Sequence, residues 1–233
     1  MSANLTLVPT PIHESLPLEP VALSLLQKEC LLPEIGILVE DHKVARTRWL
    51  FWGLPREAIA RFDLLNEHTQ AEKTVSLIKA MKQGTRFYLL SDSGLPAFCD
   101  PGQALVNACH DSKLKVTSTP FPNSIALAVA LSGFRHDRFY FAGFLPANGD
   151  ERKRELERLA KFAEMLILMD TPYRMNSLLK DLAGSTLKKR TCFLAVNLNQ
   201  SEEFLIRGDI STLVTCAETL GKQEFILVIA PLT

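Results

Sequence analysis

Short runs rich in apolar residues recur along the first half of the chain, each four or five residues long and each followed by polar or proline-containing turns. Leu5–Val8, Ile35–Val39, Arg86–Leu90 and residues 114–118 have this form, which is that of strands buried on both faces. Between them the period changes. Within Gln70–Lys82, Ala71, Val75, Ile78 and Met81 recur at helical spacing, while Glu72, Lys73, Lys79 and Lys82 take the other face. Gly84 after this helix, and Gly53 after a second helical segment at 43–52, are placed to end each helix in a left-handed conformation. In the second half, strands are expected at 138–143, 166–169, 191–197 and Phe225–Ile229. Helices are expected at 125–131, 152–162, 173–183 and 210–219. Alternation of this kind predicts an α/β fold built on βαβ units. Thr119-Pro120-Phe121-Pro122-Asn123-Ser124 sets two prolines between a strand and an apolar helix. The junction of two domains, 1–119 and 120–233, is expected there.

The most informative turn is Ser91-Asp92-Ser93-Gly94-Leu95-Pro96-Ala97-Phe98-Cys99-Asp100-Pro101-Gly102, between the strand ending at Leu90 and a helix starting near Gln103. Ligands of parallel sheets bind at such strand-to-helix loops. Gly94 tolerates positive φ and lets backbone approach a ligand, and Pro96 and Pro101 stiffen the loop. Asp100 reads either as a functional carboxylate or as the N-cap of the helix that follows.

Composition narrows the picture by exclusion. Lys and Arg number 26 and Asp and Glu 26, so no global positive field favours a polyanion. The clusters Arg152-Lys153-Arg154 and Lys188-Lys189-Arg190 read as solvated surface. The five cysteines form no C-x-x-C pair and the five histidines no metal-binding spacing, so free thiols and no metal are expected. No apolar run reaches the roughly 20 residues that span a bilayer. Together with the absence of a signal-like N-terminus, this makes a cytoplasmic protein the expectation. No G-x-G-x-x-G follows the first strand, which sets aside a nicotinamide-dependent dehydrogenase.

The S-D-x-G-x-P…D-P-G loop resembles the cofactor loop of the tetrapyrrole methylase superfamily in its rRNA (cytidine-2′-O)-methyltransferase branch. Seven further segments resemble that branch in the same order. Val8-Pro9-Thr10-Pro11-Ile12 is similar to A-T-P-I-G, Glu40-Asp41-His42-Lys43 to E-D-T-R, and Asn66-Glu67-His68 to H-E-H-N. Phe121-Pro122-Asn123-Ser124 is similar to G-P-C/S-A, Phe144-Leu145-Pro146 to F-L-P, Asp170-Thr171-Pro172-Tyr173-Arg174 to E-S-P-H-R, and Lys222-Gln223-Glu224-Phe225 to K-G-E-F. The resemblance implies a two-domain α/β tetrapyrrole methylase fold, with a mainly parallel N-terminal sheet, a mixed C-terminal sheet and S-adenosylmethionine in the cleft between them. It also implies a homodimer. Carried over by position, Ser91, Asp92, Gly94 and Pro96 border the methionine part of the cofactor, with Ser124 and Ile125 near it. Tyr173 and Arg174 approach the adenosine, and Leu194 and Ala195 wall the pocket; a buried aromatic and ordinary core packing are the alternatives for Tyr173 and for the last two.

Methyl transfer from a sulfonium is an in-line displacement, so alignment dominates and a general base adds to it. For a ribose hydroxyl the candidates are Glu40, Asp41, Glu67 and His68, with Glu40 and Glu67 the preferred catalytic pair; helix capping and a solvated loop are the alternatives. Three departures bear on the substrate. His13 replaces the glycine after Thr10-Pro11-Ile12 and is expected to narrow the substrate entrance, and only Lys43 keeps a basic residue in the second motif. Val196-Asn197-Leu198-Asn199-Gln200 lacks the arginine and lysine of the branch's R-E-x-T-K. Three readings follow: an RNA ribose methyltransferase acting on rRNA, a methyltransferase of a tetrapyrrole-like or other small molecule, and a non-catalytic protein that binds S-adenosylmethionine.

Overall fold

The computed structural model describes residues 3–121 and 123–232. Pro122 of the expected junction turn lies outside the described residues. The chain forms two compact units, Met1–Phe121 and Pro122–Thr233.

The first unit is built on a five-stranded, wholly parallel sheet in the order β3-β2-β4-β1-β5. Its strands are β1 (Leu5–Val8), β2 (Ile35–Val39), β3 (Phe62–Leu64), β4 (Arg86–Leu90) and β5 (Val116–Ser118), and its helices α1 (Pro20–Glu29), α2 (His42–Phe51), α3 (Gln70–Lys82) and α4 (Gln103–Asp111). Side chains alternate across the sheet. Val8, Ile37, Val39, Tyr88 and Leu90 pack with Ala22 and Leu26 of α1 and Trp49 of α2, whereas Leu5, Leu38, Phe87 and Leu89 pack with Leu77 and Met81 of α3 and Leu105 of α4. Burial on both faces is why these strands read as continuous apolar runs.

The second unit holds a mixed sheet in the order β6-β7-β10-β8-β9. Its strands are β6 (Phe139–Phe144), β7 (Met165–Met169), β8 (Cys192–Val196), β9 (Phe204–Gly208) and β10 (Phe225–Ile229). Helix α5 (Ser124–Ser132) covers one face with Ile125, Ala128 and Val129. The helices α6 (Gly149–Leu159), α7 (Met175–Ala183) and α8 (Ile210–Leu220) cover the other.

Differences from the sequence expectations have local causes. β5 begins at Val116 rather than 114, because Lys113 is left-handed at φ 56° and the Leu114 amide still closes α4 on the Cys109 carbonyl. α6 begins at Gly149 rather than 152, because the Asn148 side chain caps the amides of Asp150 and Glu151. α7 begins at Met175, after a 3-10 turn over Pro172–Arg174. α1, β3 and β9 were not expected. Glu19 caps α1 through the Ala22 amide at 2.8 Å, with proline in the first turn, while β3 is only three residues long and β9 alternates half-buried with exposed residues at a sheet edge.

The basic clusters are not simply solvated. Arg152 is buried and donates to the Pro146 carbonyl at 3.0 Å and to Asp181 at 3.0 Å. Buried Arg190 donates to the carbonyls of Ala230, Phe162 and Glu164. Their neighbours Lys153, Arg154, Lys188 and Lys189 are exposed.

Candidate active site

In the first unit, a cavity of about 560 Å³ opens at the carboxyl ends of the adjacent strands β3, β2 and β4. Parallel sheets bind ligands at this end, where strand-to-helix loops converge. Glu40 and Asp41 line it from the β2 loop and Asn66, Glu67, His68 and Gln70 from the segment between β3 and α3. Asp92, Cys99, Asp100 and Pro101 line it from the β4 loop.

The β4 loop owes its shape to backbone that few residues adopt. Gly94 and Gly102 have φ of 86° and 119°, and Ala97 and Cys99 have φ of 65° and 62°. Non-glycine residues held there store conformational strain, which clusters at functional sites. Gly102 is required twice, since a Cβ on it would also lie 2.6 Å from Leu89 Cδ2, whereas the space beside Gly94 is open. Hydrogen bonds fix the loop to its surroundings. The amides and carbonyls of Thr10 and Gly94 bond reciprocally at 2.9 and 3.0 Å. The Thr10 hydroxyl donates to the Ser91 carbonyl at 3.1 Å, and the Ser91 hydroxyl to the Gly94 carbonyl at 2.9 Å. Gln70 accepts from the Gly102 amide at 3.3 Å. From α2, buried Arg48 donates to the carbonyls of Pro11 at 2.7 Å and Ile12 at 3.3 Å.

The carboxylates interlock. Glu40 accepts from the Asp92 amide at 3.2 Å and Asp92 from the Asp41 amide at 3.3 Å. Asp41 caps α2, and the Val44 and Lys43 amides hold it below the usual carboxylate range. Burial, then the charge of Glu40, pushes Asp92 up to about 6. Burial, then Glu40 and Asp92, pushes Asp100 up to about 7. Asp100 does not cap α4: the cap residue is Gly102, without a side-chain bond.

The residues singled out from sequence separate into groups. Glu40, Glu67 and Asp92 share the cavity with Asp41 and His68, although the Glu67 side chain is 77% exposed and faces His68 at 3.4 Å. Ser91, Gly94 and Pro96 shape the loop rather than line the cavity. His13 does not narrow the cavity; its exposed ring meets the Ser15 hydroxyl at 2.6 Å. In the second unit, Ser124 and Ile125 open α5, which Asn123 caps. Tyr173 is 74% exposed, with the Lys222 ammonium 4.4 Å from its ring centroid, so it is no buried aromatic. Arg174 donates to the carbonyls of Leu145 at 3.2 Å and Pro146 at 3.0 Å and pairs with buried Asp170 at 3.3 Å. Leu194 and Ala195 are fully buried and belong to opposite faces of the sheet. Sequence reasoning missed Gln70 and Arg48. Neither belongs to a local motif, because each acts on a loop distant in sequence.

Among the described residues no group of three or more metal-ligating side chains comes together, and no helix is long and apolar enough to cross a membrane.

Residues 29–214 match the family model of the tetrapyrrole (corrin/porphyrin) methylases. A ribosomal RNA small subunit methyltransferase I from Leptospira borgpetersenii serovar Hardjo-bovis is 34% identical over 173 residues, which cover 73% of this chain and 68% of the relative. The protein of the same name from Xylella fastidiosa is 32% identical over 229 residues, covering 97% and 81%. Of solved structures, diphthine synthase aligns with a TM-score of 0.64 at 12% identity, covering 97% of this chain and 89% of that one. That likeness is one of fold.

Proposed function

The chain belongs to the tetrapyrrole methylase family, and from that premise we propose that it is an S-adenosylmethionine-dependent methyltransferase whose acceptor is a ribose 2′-hydroxyl of small-subunit ribosomal RNA. The observation that carries the reading is the identity of 34% and 32% to two proteins named ribosomal RNA small subunit methyltransferase I.

The chemistry of the first unit fits the donor. S-adenosylmethionine brings a sulfonium and an ammonium, and Glu40, Asp92 and Asp100 supply a cluster of carboxylates for cations. When bound, it supplies an electrophilic methyl group. Ser91, Asp92, Gly94 and Pro96 are proposed to hold its methionine part, with Ser124 and Ile125 contributing. The exposed ring of Tyr173 offers a face for the adenine, while Arg174, Leu194 and Ala195 are proposed to support that end. The acceptor is assigned to the acidic cavity, where Glu40 and Glu67 were sought. An anionic cavity repels phosphate, so the RNA backbone has to be held by cations outside it. Exposed Lys43 and Arg46, three residues apart on α2 directly after Asp41, suit that task. We propose further that the protein acts in the cytoplasm as a homodimer.

The balanced net charge favours the second reading, a small-molecule acceptor. Calorimetric titration with S-adenosylmethionine and S-adenosylhomocysteine tests the donor, and transfer of labelled methyl to unmodified small-subunit rRNA or to a small-molecule extract tests the acceptor. The proposal expects saturable binding and label in RNA. Binding with label only among small molecules would establish the second reading, and binding without turnover would leave a cofactor-binding protein.

A further inference from the structure

Asp100 has no evident part in holding the fold together. It does not cap α4, and among the described residues its carboxylate makes no hydrogen bond or ion pair. The other carboxylates of the cavity are committed. Glu40 and Asp92 accept backbone amides across the β2 and β4 loops, Asp41 caps α2, and Glu67 stands exposed beside His68. Asp100 is therefore a half-buried carboxylate in the cavity wall with its oxygens free for a ligand. The two negative groups that disfavour its ionisation, Glu40 and Asp92, are themselves held in place by those amide bonds.

We propose that Asp100 is the catalytic base of the methyl transfer, taking the proton from the acceptor hydroxyl. This rests on the functional reading above. In the step, the hydroxyl oxygen forms a bond to the methyl carbon as the carbon–sulfur bond breaks. The bonding pair stays on sulfur and cancels its positive charge, and the hydroxyl proton passes to the Asp100 carboxylate. No oxidant, metal or further reactant is needed. A base whose affinity for a proton is matched to neutral pH is the most effective, and burial with its two anionic neighbours pushes Asp100 up to about 7. The charged and titratable groups around it are Glu40 and Asp41 from the β2 loop, Glu67 and His68 from the segment before α3, and Asp92 and Cys99 on its own loop. Arg48 of α2 acts on Asp92.

The test is kcat for methyl transfer to unmodified rRNA between pH 5.5 and 9, with donor and RNA saturating, for the wild-type chain and Asp100→Asn. The wild-type rate is expected to rise with pH through a midpoint of about 7. Asp100→Asn is expected to lose roughly a hundred- to ten-thousand-fold in kcat and to lose that acid limb, while its affinity for S-adenosylhomocysteine is unchanged. An active Asp100→Asn with the wild-type profile would overturn the assignment alone. The wild-type profile decides even if the variant does not fold, since an acid limb absent near neutrality also overturns it. A wild-type chain that methylates no RNA overturns the functional reading, and this assignment with it.

Discussion

The two units treat half-buried and buried polar groups in opposite ways. In the second unit, Arg152 and Arg190 are buried, and each spends its guanidinium on backbone carbonyls or a carboxylate. In the first, the β4 loop leaves Asp100 without a partner, beside two more carboxylates, on backbone with four left-handed residues between Gly94 and Gly102. A saturated buried charge is a structural fastener. An unsaturated one next to a cavity is a cost the fold carries for chemistry. Asp170 qualifies the contrast, since its Oδ2 is buried without a partner while Oδ1 serves Thr171 and Arg174.

Substitution can break this comparison on either side. Arg190→Met should cost the most stability, about 3 kcal/mol, because it strands the carbonyls of Ala230, Phe162 and Glu164; urea unfolding measures it. A loss below about 0.5 kcal/mol, the range of surface substitutions, would show that the bonds are dispensable.

Asp100→Asn should do the opposite. The carboxyl binds its proton more tightly in the folded chain than at its ordinary value of 3.8. Wild-type stability from this group is therefore complete below about pH 4, falls as pH rises toward 7, and stays at its lower level above. The neutral amide escapes that loss. The variant should match wild type near pH 4 and exceed it at pH 8 by roughly 1–2 kcal/mol, once the full shift is discounted for the group's contact with solvent. Thermal melts at the two pH values check this, and a variant less stable at pH 8 would make Asp100 a structural residue.

The smallest effect belongs to Glu67→Gln. Its exposed carboxylate should change stability by less than about 0.5 kcal/mol, and kcat for RNA methylation should stay far above the roughly hundredfold loss that removal of a base brings. A loss of that size would move the base from Asp100 to Glu67.

The strand runs and α3 were legible because both-face burial and helical spacing leave direct marks on sequence. Leu5–Val8, Ile35–Val39, Arg86–Leu90 and Phe225–Ile229 therefore appear with the expected bounds. β3 and β9 were not, because three residues and an alternating edge strand leave weak marks. At the site, the loop from Ser91 to Gly102 stood out through its glycines and prolines. The role of Asp100 did not, since the same letters before Pro101 serve equally for an N-cap, and only the fold shows that Gly102 holds that position. Tyr173 shows the same limit: nothing in Pro172-Tyr173-Arg174 announces that the ring is exposed under Lys222.

The central claim is that a ribose hydroxyl in RNA receives the methyl group. After reaction of the full chain with labelled S-adenosylmethionine and unmodified small-subunit rRNA, the RNA can be digested to nucleosides and the label located by mass spectrometry. Label on the ribose of a single nucleoside is the predicted result; label on a base, or RNA without label from a chain that binds the donor, would contradict it.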